Sequence, residues 1–171
     1  MIRSEKKVRD LALLLERDNY LLISEAIGLL REEQSFEGAI GLLTAFYDRT
    51  DNHPVKRIIE NFMNDLKDPS TRAEVITELR KAWNPDTISM LVSSCWQSGL
   101  DYSEYSLDLT NIFLSCDYVT AIECLTVMEE TVKNLTRKKK DEIIKIIEES
   151  TPSPINEKRT LNYEMLSILR R

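Results

Sequence analysis

The side chains that could act as nucleophiles, bases or metal ligands are few in this sequence and stand apart from one another. Its only histidine is His53, directly before Pro54 at a predicted helix start. The three cysteines, Cys95, Cys116 and Cys124, form no CxxC pair, so their spacing indicates neither a zinc site nor a disulfide framework. We therefore predict no metal, no cofactor and no catalytic residue, and we interpret His53 as a solvated residue at a helix end.

The motifs of well-known enzyme classes are missing as well. The sequence has only four glycines, which disfavours a glycine-rich phosphate-binding loop, and no GxSxG motif occurs. Adjacent carboxylates, at 32–33, 129–130 and 148–149, point in different directions on a helix, which indicates solvated faces rather than acid–base pairs. Cys116 lies between predicted helices and could be exposed, whereas the other two cysteines fall on or beside apolar stripes, where a buried, inert thiol is expected. The sequence favours a protein that is not an enzyme; an enzyme or ligand-binding protein with a site assembled between helices is the alternative.

One basic cluster stands at the start of the helix predicted over 137–149. Cations at a helix N-terminus oppose the helix dipole, although Asp141 and Glu142 partly compensate. This placement suggests a weak site for an anion or an acidic partner, and an ordinary solvated turn is the simpler explanation. The cluster consists of Arg137, Lys138, Lys139 and Lys140.

The most informative stretch is 82–132, which contains no Lys or Arg although these make up 23 of the 171 residues. It retains eight carboxylates and six aromatic side chains. Aromatic side chains give contact area at low entropic cost, and uniform negative charge speeds encounter with a basic surface. We therefore predict a protein-binding face for a basic or amphipathic protein partner, with the contact positions Trp96, Gln97, Asp101, Tyr102, Glu104 and Tyr105.

Burial of central helices is the other explanation for this stretch, and it accounts for the missing lysines better than for the retained carboxylates. The whole chain has a formal charge of −6, so binding to the phosphates of nucleic acid is not expected. Neither a signal peptide nor a run of eighteen apolar residues is found, and the unpaired cysteines suit a reducing compartment. We expect a cytoplasmic protein with no membrane segment, and the sequence predicts no particular oligomeric state.

The elements that must position these residues are helices. Apolar residues recur with the i, i+3, i+4, i+7 spacing of an amphipathic helix, and no stretch alternates long enough to compete as a strand. Pro54, Pro69 and Pro85 each precede such a stripe, as expected of a residue tolerated in the first turn. Capping residues agree, among them Ser35 and a capping box formed by Thr71 and Glu74. The sequence predicts ten helices, over 5–16, 20–33, 36–49, 53–67, 71–82, 85–98, 103–115, 118–134, 137–149 and 157–170.

Helix starts recur about every sixteen residues, so a two-helix unit spans about thirty-three residues, which is typical of α-solenoids. Short connections make neighbouring helices antiparallel. The helix-pair spacing resembles HEAT-like and armadillo-type repeat proteins. The runs FEGAIGLL at 36–43 and SSCWQSGLDY at 93–102 are similar to a family of uncharacterised bacterial HEAT-like proteins. This resemblance implies an all-α fold of stacked antiparallel helix pairs and protein binding, with no activity assigned to particular residues. An irregular helical bundle is the alternative fold.

The only cluster of helix-breaking residues is at 150–154, with Pro152 and Pro154. We therefore predict a HEAT-like repeat domain over 1–150. A proline-containing break and a C-terminal capping helix of the same domain are predicted over 151–171.

Overall fold

The computed structural model of the protein describes residues 3–150 and 158–171. Within these ranges the regular structure is entirely helical, and it comprises ten α-helices and three short 3₁₀ turns. The α-helices are α1 (Glu5–Leu15), α2 (Tyr20–Glu32), α3 (Ala39–Arg49), α4 (His53–Asn64), α5 (Arg72–Leu79), α6 (Pro85–Gln97), α7 (Ser106–Ser115), α8 (Tyr118–Thr131), α9 (Arg137–Glu149) and α10 (Arg159–Arg170). The 3₁₀ turns are Pro69–Thr71, Ser103–Tyr105 and Val132–Asn134.

The predicted all-α class and the ten helices are confirmed. The largest differences at a helix start are three residues. α7 was predicted to begin at residue 103 and begins at Ser106, after a 3₁₀ turn, and α3 was predicted to begin at residue 36 and begins at Ala39. Gly38 precedes it with a φ of 96°, a left-handed conformation that suits glycine and that a helix cannot continue through. The predicted break at Pro152 and Pro154 lies outside the described residues.

The chain divides into two compact units, Met1–Leu100 and Asp101–Arg171. Sequence analysis did not predict this division. The first unit holds α1 to α6, and each helix packs against the helix two places along the chain: α1, α3 and α5 form one row, and α2, α4 and α6 form the other. Fully buried apolar side chains, such as Ile23, Leu43 and Ile59, fill the space between these helices.

Side-chain bonds in the first unit repeatedly join residues that are 32 to 36 positions apart in the sequence. They pair Arg3 with Glu37, Asp18 with Thr50, Arg31 with Asp65, Gly41 with Glu74, and Asp48 with Asn84. This separation is close to the two-helix period of the sequence. It follows from the packing of each helix against the one two places further along.

In two of these bonds, a carboxylate accepts from a backbone N–H group at the start of a helix, where the neighbouring residues provide no acceptor. The residue before α3 is Gly38, which has no side chain to cap the helix, and the Glu74 carboxylate accepts from the Gly41 N–H at 3.0 Å instead. The predicted capping box is therefore wrong. Thr71 makes no side-chain bond to the start of α5 and donates to the Asp68 carbonyl, while Glu74 is engaged by α3. The predicted cap Ser35 is likewise replaced at the start of α3 by this carboxylate.

Asp48 performs the same role for α6. Its carboxylate accepts from the Asn84 N–H at 2.9 Å, from the Asn84 side-chain amide at 3.1 Å and from the Thr87 hydroxyl at 2.7 Å. A negative charge at a helix N-terminus is also favoured by the helix dipole.

Replacing Asp48 by alanine is expected to lower the free energy of unfolding by about 1–2 kcal/mol, because α6 then loses its N-terminal acceptor. Urea unfolding followed by circular dichroism measures this change. The matched control is Asp51→Ala, since Asp51 is an exposed carboxylate three positions away. Equal effects of the two substitutions would contradict the capping role of Asp48.

The second unit holds α7 to α10. α7 and α8 form a tightly packed antiparallel hairpin, and α10 packs against both α8 and α9. Leu109 and Phe113 of α7 and Met128 of α8 are completely buried. The packing of α10 onto α8 and α9 places the C-terminal helix within this unit rather than apart from it.

Candidate functional site

The predicted contact residues Trp96 and Gln97 lie at the end of α6, in the first unit. The Trp96 side chain is 38% exposed, so this large apolar residue is partly accessible to a partner. Gln97 is exposed, and its side-chain amide donates to the Ser93 hydroxyl at 2.7 Å. Both positions are therefore exposed at the surface of the first unit.

The other four predicted contact residues lie at the start of the second unit and differ in exposure. Asp101 and Glu104 are exposed, and Tyr105 is half-buried. The Asp101 carboxylate accepts from the Ser103 N–H at 2.9 Å and from the Asn134 amide at 3.0 Å, which ties it to the turn after α8.

Tyr102 was predicted to be an exposed contact position, and this is wrong, because its side chain is 0% exposed. Its ring stands at 54° to the ring of Tyr105, with the ring centroids 6.3 Å apart. The apolar spacing of the sequence did not reveal this burial, because Tyr102 precedes α7 and is not part of its i, i+3, i+4 pattern.

A surface that sequence analysis missed lies on the first turns of α8. Tyr118 is 41% exposed, Val119 is 63% exposed and Ile122 is 41% exposed, and their spacing places the three on one helix face. We name this surface the α8 face. The inward side of α8 is formed by Ala121, Cys124, Leu125 and Met128, which are buried. Tyr118 and Ile122 lie at the edge of this apolar stripe, and that edge position is the signal in the sequence that could have placed them outside.

Carboxylates flank the α8 face. Asp117 caps the helix by accepting from the Thr120 N–H at 2.9 Å and from its hydroxyl at 3.1 Å. The hydrogen bond from the Thr120 N–H lowers the pKa of Asp117, so the carboxyl stays ionised. Glu123 follows Ile122 on the same helix and is half-buried. No Lys or Arg occurs within 82–132, so the formal charges that this stretch contributes are all negative.

The four side chains of the basic cluster at the start of α9 differ in their surroundings. Arg137 and Lys139 form ion pairs with carboxylates one turn further on, at 3.0 Å to Asp141 and at 2.9 Å to Glu142. These pairs offset the unfavourable charge at the helix N-terminus. Lys138 is exposed on the helix surface. The helix itself is capped by Thr136, whose hydroxyl accepts from the Lys139 N–H at 3.3 Å.

The remaining member of the cluster, Lys140, lines a surface cavity of about 480 Å³ in the second unit. The cavity lies between the ends of α8, α9 and α10. Three cationic side chains line it against a single carboxylate, with two aliphatic side chains between them. The lining residues are Glu129, Val132, Lys133, Lys140, Ile168 and Arg171. This charge balance suits an anion rather than a cation.

Glu74 is the half-buried carboxyl whose environment most resembles that of a catalytic acid. Burial raises the pKa of Glu74 above the usual glutamate range, against the hydrogen bonds from the Gly41 and Gly38 N–H groups, which lower it. The neighbouring Glu78 side chain is 4% exposed and pairs with Lys81 at 2.7 Å. The glycine at position 41 permits this packing, because a Cβ there would lie 3.0 Å from a Glu78 carboxylate oxygen. The contacts of Glu74 and Glu78 with Gly41 join α5 to α3, so the arrangement serves helix packing.

Replacing Glu74 by glutamine is expected to affect stability differently at low and neutral pH. A raised pKa means that the folded state favours the neutral carboxyl, so this contribution is present at low pH and is lost as the pH rises through the raised pKa. Glutamine stays neutral, so the unfolding free energy of the variant relative to the natural protein should increase between about pH 4 and pH 7. Urea unfolding at both pH values tests this, with the exposed substitution Glu32→Gln as the control. A relative stability that is constant or falls with pH would contradict it.

The sole histidine of the sequence lies at the surface. His53 is exposed at the first position of α4. Among the described residues no group of three or more His, Cys, Asp or Glu side chains is arranged to hold a metal ion. No helix in the described ranges is both long and apolar enough to cross a membrane.

Comparison of the chain with protein-family models, with curated proteins and with solved structures found no match.

Proposed function

We propose that the protein is a non-enzymatic protein-interaction scaffold built from HEAT-like helix pairs, and that its second unit binds a basic, amphipathic helix of a partner protein. The observation that carries this proposal is the α8 face, Tyr118, Val119 and Ile122, exposed between the carboxylates of Asp117 and Glu123. Exposed apolar side chains that share a helix face and are rimmed by charge are typical of protein-binding surfaces.

The stacked arrangement is supported by the packing inside the first unit. Rows of alternate helices, joined by bonds between residues 32 to 36 positions apart, are what a two-helix repeat of about thirty-three residues would produce. Repeat proteins of this kind use extended helical surfaces for binding. We therefore interpret the first unit as a HEAT-like stack.

The chemistry of the partner follows from the α8 face and its surroundings. An amphipathic helix buries an apolar stripe in a groove or against an apolar face, with anchors spaced at i, i+3 or i+4 and i+7. Lysine or arginine beside that stripe would meet Asp117 and Glu123 at the rim. Charges at a rim speed encounter and suppress wrong partners more than they add affinity. An acidic partner helix would be repelled by the same carboxylates.

A pair of synthetic peptides tests this proposal. One is an amphipathic Leu/Lys helix of about five turns, or about 18 residues, and the other carries Glu in place of every Lys. Fluorescence anisotropy of the labelled peptides should give at least about tenfold tighter binding for the Lys peptide, with a preference that weakens as salt is added. Equal binding of the two peptides, or none of either, would contradict the proposal.

The cavity lined by Lys140 favours a second candidate function, the binding of a small organic anion. Its volume of about 480 Å³ falls within the range of small-molecule sites, about 300–1,000 Å³. Lys133, Lys140 and Arg171 supply positive charge there, and Val132 and Ile168 offer an apolar contact.

A thermal-shift screen with phosphate, citrate and phosphorylated metabolites tests the anion site. A ligand that binds the folded protein raises the melting temperature by an amount that grows with the ratio of its free concentration to its dissociation constant. The rise should be lost in Lys140→Gln and kept in the matched control Lys138→Gln, because Lys138 belongs to the same basic cluster but does not line the cavity. Equal loss of the melting-temperature rise in both variants would indicate that anions are attracted by the overall charge of the cluster and do not bind in the cavity.

A further inference from the structure

Two of the three cysteines come together in the second unit, although the sequence shows no close cysteine pair. Cys116 ends α7 and is partly exposed, and Cys124 is buried in the middle of α8. The packing of α7 against α8 brings the Cys124 side chain close enough to Cys116 to influence the ionisation of its thiol. Cys95, in the first unit, is buried and its thiol donates to the Leu91 carbonyl at 3.3 Å.

A lysine completes this cluster. The Lys158 ammonium, next to the start of α10, donates to the Phe113 carbonyl at 3.0 Å and to the Cys116 carbonyl. It lies 3.9 Å from the Cys116 sulfur. These two hydrogen bonds satisfy backbone carbonyls that have no partner within the last turn of α7. They also hold the Lys158 ammonium beside the Cys116 thiol.

This environment favours the thiolate of Cys116. The hydrogen bond from the Cys124 thiol is the largest cause that lowers the pKa of Cys116, and the charge of Lys158 adds to it, while partial burial and Asp117 oppose it. A thiolate is the reactive form of cysteine, and a partly exposed thiol with a lowered pKa beside a second cysteine is the arrangement of redox-sensitive sites.

We propose that Cys116 is a site of oxidation by hydroperoxides and that Cys124 resolves it to an intramolecular disulfide. In the first step the Cys116 thiolate attacks the outer oxygen of the hydroperoxide. The S–O bond forms as the O–O bond breaks, and the departing alkoxide takes up a proton to leave as the alcohol.

The second step joins the two cysteines. The Cys124 sulfur attacks the sulfur of the Cys116 sulfenic acid, the S–S bond forms as the S–O bond breaks, and the departing hydroxide leaves as water with the Cys124 proton. Together the two thiols lose two electrons and two protons, and one hydroperoxide is reduced to one alcohol and one water. Lys158 favours the first step by stabilising the attacking thiolate.

The partial exposure of Cys116 and the burial of Cys124 fit these separate roles. Cys116 can meet a reagent from solution, whereas Cys124 can meet only a sulfenic acid that has formed beside it. Because Cys124 is protected from external reagents, the expected product is a single internal disulfide rather than a dimer.

The experiment treats the full chain with hydrogen peroxide under native conditions and maps the products by non-reducing mass spectrometry. The expected result is a peptide pair linked through Cys116 and Cys124 with two hydrogen atoms lost, while Cys95 stays reduced. In Cys124→Ala the reaction should stop at a Cys116 sulfenic acid that dimedone traps. Cys95→Ser should form the same disulfide as the natural protein. Lys158→Met should slow the oxidation of Cys116 several-fold.

A second measurement needs no variant and is independent of folding defects. Native alkylation with iodoacetamide should modify Cys116 at least about tenfold faster than Cys95, with a rate that rises with pH below the range of an ordinary thiol. Equal alkylation rates for Cys116 and Cys95 would overturn the proposal. A disulfide that links two chains, or one that includes Cys95, would overturn it as well.

Discussion

Replacing Tyr102 by alanine is expected to lower the free energy of unfolding by about 3–5 kcal/mol, the usual cost of removing a large buried aromatic ring. Tyr102 is 0% exposed, so its loss opens a cavity that the surrounding side chains fill only in part. Urea unfolding of the natural protein and the variant measures the difference.

Two neighbouring substitutions are the controls for this prediction. Glu104→Ala changes an exposed residue and should alter the unfolding free energy by less than about 0.5 kcal/mol. Tyr105→Ala removes a half-buried ring and should have an intermediate effect. If Tyr102→Ala were as mild as Glu104→Ala, the ring would be accessible, as the sequence analysis had predicted.

Replacing Val119 by lysine is expected to weaken binding of the cationic Leu/Lys peptide by at least about tenfold, or about 1.4 kcal/mol. The substitution puts a positive charge at the centre of the α8 face and removes an apolar contact of the partner helix. Because Val119 is 63% exposed, the fold should be unaffected. Fluorescence anisotropy measures the affinity, and circular dichroism checks the fold.

Leu21→Lys is the matched control for Val119→Lys. Leu21 is an exposed apolar residue, 73% accessible, on α2 of the first unit, so the same change in charge and polarity occurs away from the α8 face. This variant should bind the peptide as the natural protein does. Equal losses in the two variants would mean that the peptide responds to net charge and not to the α8 face.

The helices could be predicted from the sequence because their signals are local. The apolar spacing and the first-turn prolines identified all ten helices of the described chain, and Pro54 and Pro85 mark the starts of α4 and α6. The two-helix period was also visible in the sequence. It reappears in the first unit as bonds such as the one that joins Gly41 to Glu74.

The features that could not be predicted depend on which helices meet. Gly28 and Gly41 stand in the same local sequence, AIGLL, at 26–30 and 39–43, yet Gly41 faces the carboxylate of Glu78 and Gly28 has open space around it. The capping of α3 by Glu74 and the pairing of Cys116 with Cys124 likewise join different helices. Sequence spacing carries no signal for such contacts.

The candidate site shows the same limit. The absence of Lys and Arg from 82–132 drew attention to this part of the chain, but composition does not distinguish the buried Tyr102 from the exposed Tyr118. Both are aromatic residues close to a helix start. Only the packing of the hairpin decides which of them is available to a partner.

The central claim, that the α8 face binds a basic amphipathic helix, is tested most directly by nuclear magnetic resonance. The Leu/Lys peptide is added to isotope-labelled protein, and the chemical-shift changes are mapped onto the sequence. We expect the largest changes at Tyr118, Val119 and Ile122, and none at Leu21. Shift changes that avoid the start of α8, or that the Glu-containing peptide reproduces, would contradict the proposed function.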